Sequence, residues 1–437
     1  MPVTPTDADP ATPAAPLPEP TARWWRKSVR ARAPTLDPAR LREENRRVLL
    51  NLVWCERAIS RADLARETGL SRSTVSAIAT ELLDKGLVVE LGAGTSSGGR
   101  RPIVLGFNDE GFGIVGIDMG ASHVGVAVTD LRGRVRAWVK RPCEVREDPS
   151  GTMTLMRALV REALAASPWS ADRILGIGLA APCPIDPTAP GQLSPLVLPA
   201  WKDHDVVGML RDTFGLPVHL DNDANLGALA ELWWGAGADG GDLAYIKIAT
   251  GVGAGFIVNG ALYRGAAGVA GEIGHVVLDP DGPLCMCGLR GCLVTQIGAP
   301  ALVAQVEQQL AAGHASLLEK GHVTTDSIVD AVLHGDAVAI EVVQRAGRQL
   351  GVAIANLMNL FNPDRVVLSG GLVRAGSALF EPLEAMLHRR ALFSARATTP
   401  VTASTLGETG IALGAATQVL EAVLEDETLV PAREAHP

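Results

Sequence analysis

The stretch GHVVLDPDGPLCMCGLRGC, residues 274–292, sets His275, Cys285, Cys287 and Cys292 at the spacing H-x9-C-x-C-x4-C. No other feature constrains the fold as tightly. One imidazole and three thiols match a closed tetrahedral zinc site, and a loop tied to one ion has few conformations left. Gly288 and Gly291 let the chain turn sharply between the donors. Cys285 and Cys287 lie too close in sequence for an easy mutual disulfide. The chain has six cysteines, and its start, MPVTPTDADPATPAAPLPEP, lacks a basic segment followed by an apolar core. The expectation is therefore a reduced, cytoplasmic protein, which disfavours disulfides. The remaining alternative is a set of ordinary reduced thiols. Four protein donors leave no position for water, so a zinc ion here is expected to be structural. Cys55, Cys143 and Cys183 read as isolated small hydrophobes.

The charge is unevenly placed. The net value is −9, but residues 1–105 carry 16 basic and 12 acidic side chains. The remainder carries 23 and 36. A mildly basic head on an acidic body fits a phosphate-contacting module, or simply a solvated face. Residues 1–37 hold eight prolines and read as a disordered tail. Its basic end, RWWRKSVRAR, is read as tail rather than as a DNA contact. From 38 to 110 the order is helix, helix, turn, helix, hairpin. Leu41, Val48, Leu49, Leu52 and Val53 fall near one face of the first helix. Ser60 stands as an N-cap for a short helix stopped by Gly69, and Ser71 caps a longer one closed by Gly86. In that helix Val75, Ile78, Ala79, Leu82 and Leu83 form a helical stripe. The other face offers Ser71, Arg72, Ser73, Thr74 and Ser76, groups suited to a major groove. The expectation is a winged helix-turn-helix, with Arg100 and Arg101 at the wing contacting DNA. A three-helix protein-interaction domain is the alternative.

From 111 to 425 the texture is α/β. Strand–Gly turn–strand patterns recur at GIVGIDMGASHVGVAVTD and LAYIKIATGVGAGFIVNGALYRG. The repetition points to an internally duplicated body with glycine turns facing a cleft. Helices are expected at 150–166, 299–312, 326–360 and 377–391, and residues 426–437 are set aside as a C-terminal tail. No apolar run reaches the ~18 residues of a membrane span.

The run GALYRGAAGVAGEIGHVVLDPDGPLCMCGLRGC resembles the signature of the ROK family of repressors, uncharacterised reading frames and sugar kinases. The likeness extends from about residue 40 to 425. It implies an actin-like, two-lobed ATPase body behind a winged helix. It also implies a sugar site beside the zinc, in which Asn222, Asp223, Glu272 and His275 hydrogen-bond hydroxyls. Planar amides and carboxylates suit that role, because a site built to hydrogen-bond a hydroxyl rejects analogues lacking it. Asp223 could instead be a helix N-cap. In the family's kinases the matching aspartate is the general base, working with Mg-ATP. Nucleotide contacts would come from Asp118, Gly120, Thr250, Gly251, Gly253, Gly370 and Gly371.

The departures weigh against phosphoryl transfer. Kinases of the family carry Asp-x-Gly-Gly-Thr-Lys where this chain has Asp118-Met119-Gly120-Ala121-Ser122-His123. Ala249 replaces the first residue of a Gly-Thr-Gly turn, Cys183 replaces the glycine of a Pro-Gly-Pro loop, and Val294 stands where the kinases hold a sugar-binding glutamate. The expectation is a transcriptional regulator, a repressor, that binds a double-stranded operator as a homodimer or larger homo-oligomer and senses a sugar. An ATP-dependent sugar kinase with Asp223 as base is the alternative, and a ligand-free zinc scaffold is a third reading.

Overall fold

The structure, a computed structural model, describes residues 38–94, 101–392 and 398–430. The expectations for the proline-rich tail, for Arg100 and for residues 431–437 lie outside the described residues.

The head folds as its local signals dictate. Its elements are α1 (Pro38–Glu56), β1 (Ile59–Ser60), α2 (Arg61–Thr68), α3 (Arg72–Asp84), β2 (Val88–Ala93) and β3 (Ile103–Phe107). The Ser60 hydroxyl accepts from Asp63 N, and Gly69, at φ +72°, ends α2 by donating to Ala65 O. Ser71 starts α3 by accepting from Thr74 N at 3.1 Å. A C-cap and an N-cap two residues apart fix the elbow between the helices. Val75, Ile78, Ala79 and Leu82 are buried, and Leu83 is half-buried. In α1 Leu49 and Val53 of the expected stripe are buried together with Leu50 and Trp54, Val48 and Leu52 are half-buried, and Leu41 is 51% exposed. The strands pair in the order β1–β3–β2, and Gly94 N donates to Pro102 O at 2.8 Å at the neck of the hairpin.

The body repeats one sheet plan twice. The first lobe holds β4 (Gly113–Met119), β5 (His123–Thr129), β6 (Val135–Pro142), α4 (Pro149–Ala166), β7 (Ile174–Ala181), α5 (Val206–Phe214), β8 (Val218–Asn222) and α6 (Asp223–Trp234). Its strands run β6–β5–β4–β7–β8. The second lobe holds β9 (Leu243–Ile248), β10 (Val252–Val258), β11 (Ala261–Tyr263), α7 (Val294–Ile297), α8 (Ala299–Ala311), α9 (Thr325–Leu333), α10 (Ala337–Phe361), β12 (Arg365–Ser369), α11 (Ser377–Arg390) and β13 (Val401–Ala403). Its order is β11–β10–β9–β12–β13, the same antiparallel meander extended by two parallel strands. The continuous helix expected over 326–360 is two helices. Gly335, at φ +81°, breaks it, and Asp336 caps α10 by accepting from Ala339 N at 2.8 Å.

The last helix, α12 (Gly410–Glu425), returns to the first lobe. Backbone meets backbone there: a Cβ on Gly116 or Gly178 would stand 1.9 Å from the carbonyl oxygen of Ala412 or Ala415. Gly414 abuts Leu226 O of α6 in the same way, and Gly255 of β10 abuts Ala224 O. All 12 residues of α6 are buried, which removes the amphipathic pattern a surface helix shows. The two lobes thus share α6 and α12 as a common spine.

The head is docked on the far end of that spine. Trp54 of α1 stands edge-on to Trp233, ring centroids 5.2 Å apart, and to Trp234 at 6.4 Å. Arg132 covers the Trp54 ring at 4.4 Å and donates to Trp54 O and Asp109 Oδ1. The segment set aside as a C-terminal tail contributes as well. Glu427, 3% exposed, lies in a 3-10 turn over Glu427–Leu429 and pairs with Arg46 at 2.8 Å and Lys85 at 3.7 Å.

Glu421 accepts from Trp233 Nε1 at 2.9 Å in this joint. Burial first, then the Glu425 carboxylate, push its carboxyl up to about 7. Its value in the unfolded chain is 4.5, so protonated Glu421 favours the folded state fully below that pH. The contribution fades as pH rises through 7. Glu421 is half-buried, so we expect about 1–2 kcal/mol after screening by solvent. Thermal melts from pH 5 to 8 should show the Glu421→Gln variant losing this part of the slope while keeping the acceptor for Trp233. An unchanged slope would place the titration elsewhere.

Candidate ligand site, metal cage and DNA-facing helix

The four expected metal donors converge. The ligand atoms of His275, Cys285, Cys287 and Cys292 all lie within 4.8 Å of one another. Cys285 Sγ is 3.5 Å from His275 Nδ1, and the sulfurs of Cys287 and Cys292 are 3.6 Å apart. That separation is far beyond a disulfide bond, and two thiolates on one tetrahedral zinc ion stand about 3.8 Å apart. The set therefore fits zinc. The loop's glycines are forced. Gly291, at φ +66°, would put a Cβ 1.5 Å from Asp279 O. A Cβ on Gly271 or Gly274 would strike Ala254 O or Val252 O at 1.9 and 2.1 Å. The GEIGH turn, residues 271–275, is thereby pressed onto β10.

This turn brings Glu272 and His275 toward the N-terminus of α6. With Nδ1 facing the sulfurs, His275 Nε2 points the other way and lies 3.8 Å from Glu272 Oε2. Burial, then the charge of Asp223, hold the Glu272 carboxyl above its ordinary value, so the two acids share one electrostatic neighbourhood. The N-cap of α6 is Asn222, not Asp223. Its Oδ1 accepts from Ala224 N and Asn225 N, and its Nδ2 donates to Cys183 O at 3.2 Å. Capping consumes the amide oxygen, so one N–H remains to meet a ligand. Asp221 fixes this turn by accepting from Asn222 N, Asn225 Nδ2 and Arg264.

Asp223, 7% exposed, has a partner that sequence reasoning missed: Lys247 Nζ of β9 lies 2.5 Å from its Oδ2. A signal was available, since LAYIKI sets one charge inside an otherwise apolar strand. Burial works to lower the Lys247 ammonium, but Asp223 and Asp118 more than offset it and hold it above its ordinary value.

A cavity of about 600 Å³ opens between the lobes, at the ends of β4, β9 and β12. Of the expected nucleotide contacts, Asp118, Thr250, Gly370 and Gly371 line it, while Gly120, Gly251 and Gly253 do not. Lys247 and His123 line it too. The Asp118 carboxylate accepts from His123 at 3.1 Å through Oδ2. Burial works to raise this carboxyl, but His123, Lys247 and Lys140 hold it below its ordinary value.

In the head, α3 presents an open face. Arg72, Ser73 and Ser76 are exposed and Thr74 is half-buried. The hydroxyls of Ser71, Ser73 and Thr74 bond one another at the cap, at 2.8 Å. Ala77 and Thr80 extend the exposed face beyond the expected set, and Arg101 is exposed at the base of the wing.

The ROK family profile matches residues 114–422, and a winged helix-turn-helix DNA-binding profile matches residues 42–89. The xylose repressor of Bacillus spizizenii is 31% identical over 389 residues, which is 89% of this chain and 98% of that protein. A crystal structure of a ROK family transcriptional regulator, described as a homolog of the Escherichia coli MLC protein, superposes with a TM-score of 0.74 at 28% identity. The match covers 89% of this chain and 98% of that one. A ROK family glucokinase from Streptomyces griseus, solved with glucose and AMPPNP, gives a TM-score of 0.64 at 28% identity. It covers 70% of this chain and 98% of the glucokinase. No helix among the described residues is long and apolar enough to cross a membrane.

Proposed function

The chain belongs to the ROK family, and from that premise we propose that it is a transcriptional regulator, a repressor that reads operator DNA with α3 and its wing and senses a sugar at the Asn222–Asp223–Glu272–His275 site. The observation that carries this reading is the head itself. A helix-turn-helix with an unobstructed polar face is bolted to the spine whose other end forms the ligand site. Two half-sites call for two copies, so the working form is a homodimer or larger homo-oligomer.

Zinc fits as a structural ion held by His275, Cys285, Cys287 and Cys292, and when bound it supplies rigidity rather than reactivity. His275 held through Nδ1 presents Nε2 to a hydroxyl. Glu272 and the free Asp223 oxygen accept from hydroxyls, and Asn222 donates its remaining N–H. Sugar drawn between the lobes shifts α6 and α12, and the shift reaches Trp54 through Trp233 and Trp234. The sugar-kinase alternative rests on Asp223 and on the likeness to the glucokinase. The departures at Ala121, Ala249 and Val294 weigh against it.

The test is fluorescence anisotropy on an operator selected from random duplexes, titrated with hexoses, pentoses and amino sugars. At least one sugar should change operator affinity several-fold or more. Arg72→Ala should weaken operator binding about 10- to 100-fold with the fold intact, the loss of one base contact. A chain that selects no duplex, or whose operator affinity no sugar alters, refutes the reading in its DNA half or its sensor half.

A further inference from the structure

Lys247 divides the interlobe space. Its ammonium contacts Asp223 on the ligand side, and the residue also lines the cavity that holds Asp118. Asp118 is 3% exposed, and its Oδ1 has no hydrogen-bond partner. Two buried carboxylates, carried by β4 and by the first turn of α6, thus lie within the influence of one half-buried ammonium from β9, which pairs with Asp223 directly and acts on Asp118 together with His123. Burying a carboxylate without a compensating cation is strongly unfavourable.

We propose that Lys247 is a specificity-determining residue: its tethered ammonium supplies the positive charge that Asp223 and Asp118 require, so the site takes an uncharged polyol without a divalent metal or nucleotide and rejects phosphorylated forms. The substrate-class half of this rests on the sugar-sensing reading above. The charge balance gives the reason. A divalent cation carried by a nucleotide must displace an ammonium that is covalently held in place and already paired at 2.5 Å. A phosphate on the ligand would face the Asp223 carboxylate, whose one ammonium is already engaged. A hydroxyl meets no such penalty, because the carboxylate accepts its hydrogen bond without a change in net charge. The raised affinity of Lys247 for its proton agrees with an ammonium present throughout the physiological range.

The experiment uses the zinc-loaded full chain and two probes. Mn2+ binding is followed by electron paramagnetic resonance in wild type, Lys247→Arg, Lys247→Thr and Lys247→Thr/Asp223→Asn. Wild type and Lys247→Arg should hold no Mn2+ beyond background. Lys247→Thr should gain one site at least about tenfold tighter, and the double variant should lose it again. If Lys247→Thr fails to fold while the double variant folds, charge compensation by Lys247 is supported directly. Equal Mn2+ binding in wild type and a folded Lys247→Thr overturns the proposal. The second probe is calorimetry with D-glucose, D-xylose and N-acetyl-D-glucosamine beside their phosphate esters. An ester that binds more tightly than its parent overturns the selectivity. If no sugar and no ester binds, the sensor reading fails and the selectivity for a polyol fails with it, while the Mn2+ result still decides the role of Lys247 as resident cation.

Discussion

Stripping the metal from purified protein, or replacing Cys292 by serine, should collapse the 276–292 loop and weaken sugar binding by about 10- to 100-fold, the loss found when a metal ligand's supports are removed. Cys292 is fully buried, and its strand bridge to Val277 ties the loop to the segment after His275. Otherwise the loop is held by its own backbone hydrogen bonds, such as Leu278 N to Gly291 O and Cys285 N to Leu289 O. Leu284, Met286 and Leu289 are exposed at 65%, 62% and 53%, so these side chains add no apolar packing to it. Small closed zinc modules draw about 10–16 kcal/mol from their metal. The lobes here have cores of their own, and the expected outcome is local unfolding rather than loss of the whole fold. Three readings decide it: one zinc per chain by elemental analysis, Cys287 reactive to maleimide only after chelation, and hydrogen exchange rising over 276–292. A chain that purifies without zinc, and whose sugar affinity is unmoved in Cys292→Ser, would return these residues to ordinary thiols. Glu272 and His275 would then be held by β10 alone.

The elements that could be read from the sequence are those whose causes are local. Ser60 with Gly69, and Ser71 with its stripe, determine their helices within a dozen positions, and the cysteine spacing carries its geometry with it. The repeated strand–turn–strand runs became two sheets of one order, because alternation and glycine turns act on neighbours. What escaped depends on partners far along the chain. Helix α6 was legible as a helix after the strand and acidic turn of PVHLDNDANLGALAELWWG, but its complete burial was not, since β10 covers one side and α12 another through glycines at 255 and 414. The face of α1 was read only in part: Leu49 and Val53 are in it, but Trp54 was not expected there, because it is buried by Trp233 and Trp234, about 180 residues away, rather than by its own helix pattern. The cap that was the alternative role for Asp223 belongs to Asn222, because the chain leaves β8 one residue earlier, at the point where Cys183 O receives its amide. Lys247 was legible as an oddity, but its meaning required Asp223 to be found 2.5 Å away.

Replacing Trp54 by alanine should disconnect the ligand site from the DNA-binding head. Helix α6 begins at Asp223 and ends at Trp234, a rod of 12 residues and so about 18 Å long. Its C-terminal tryptophans are fixed to α12, Trp233 through Glu421 and Trp234 through Thr417. Trp54 is the head's insertion into that pair. Its ring is 1% exposed, covered by Arg132, and its Nε1 donates to Leu131 O at 3.4 Å. Truncating so large a buried side chain costs about 3–5 kcal/mol. Leu64, Val75, Ile78 and Leu82 of the head lie in one continuous core with Trp54, α6 and α12, and the loss falls at the point of that core where Trp54 meets Trp233 and Trp234. Calorimetry should resolve two transitions where wild type shows one. Operator affinity without sugar should stay within a few-fold of wild type, while the several-fold response to sugar falls to none. Trp54→Phe, which keeps an aromatic edge against Trp233 but not the bond to Leu131, should retain part of the response. If sugar still shifts operator affinity fully in Trp54→Ala, the signal travels by another route. Other connections among the described residues include the ion pairs of Glu427, in the turn after α12, with Arg46 and Lys85, the bond from Asn51 to Leu424 O of α12, and the bond from Arg132 to Trp54 O, none of which involves α6.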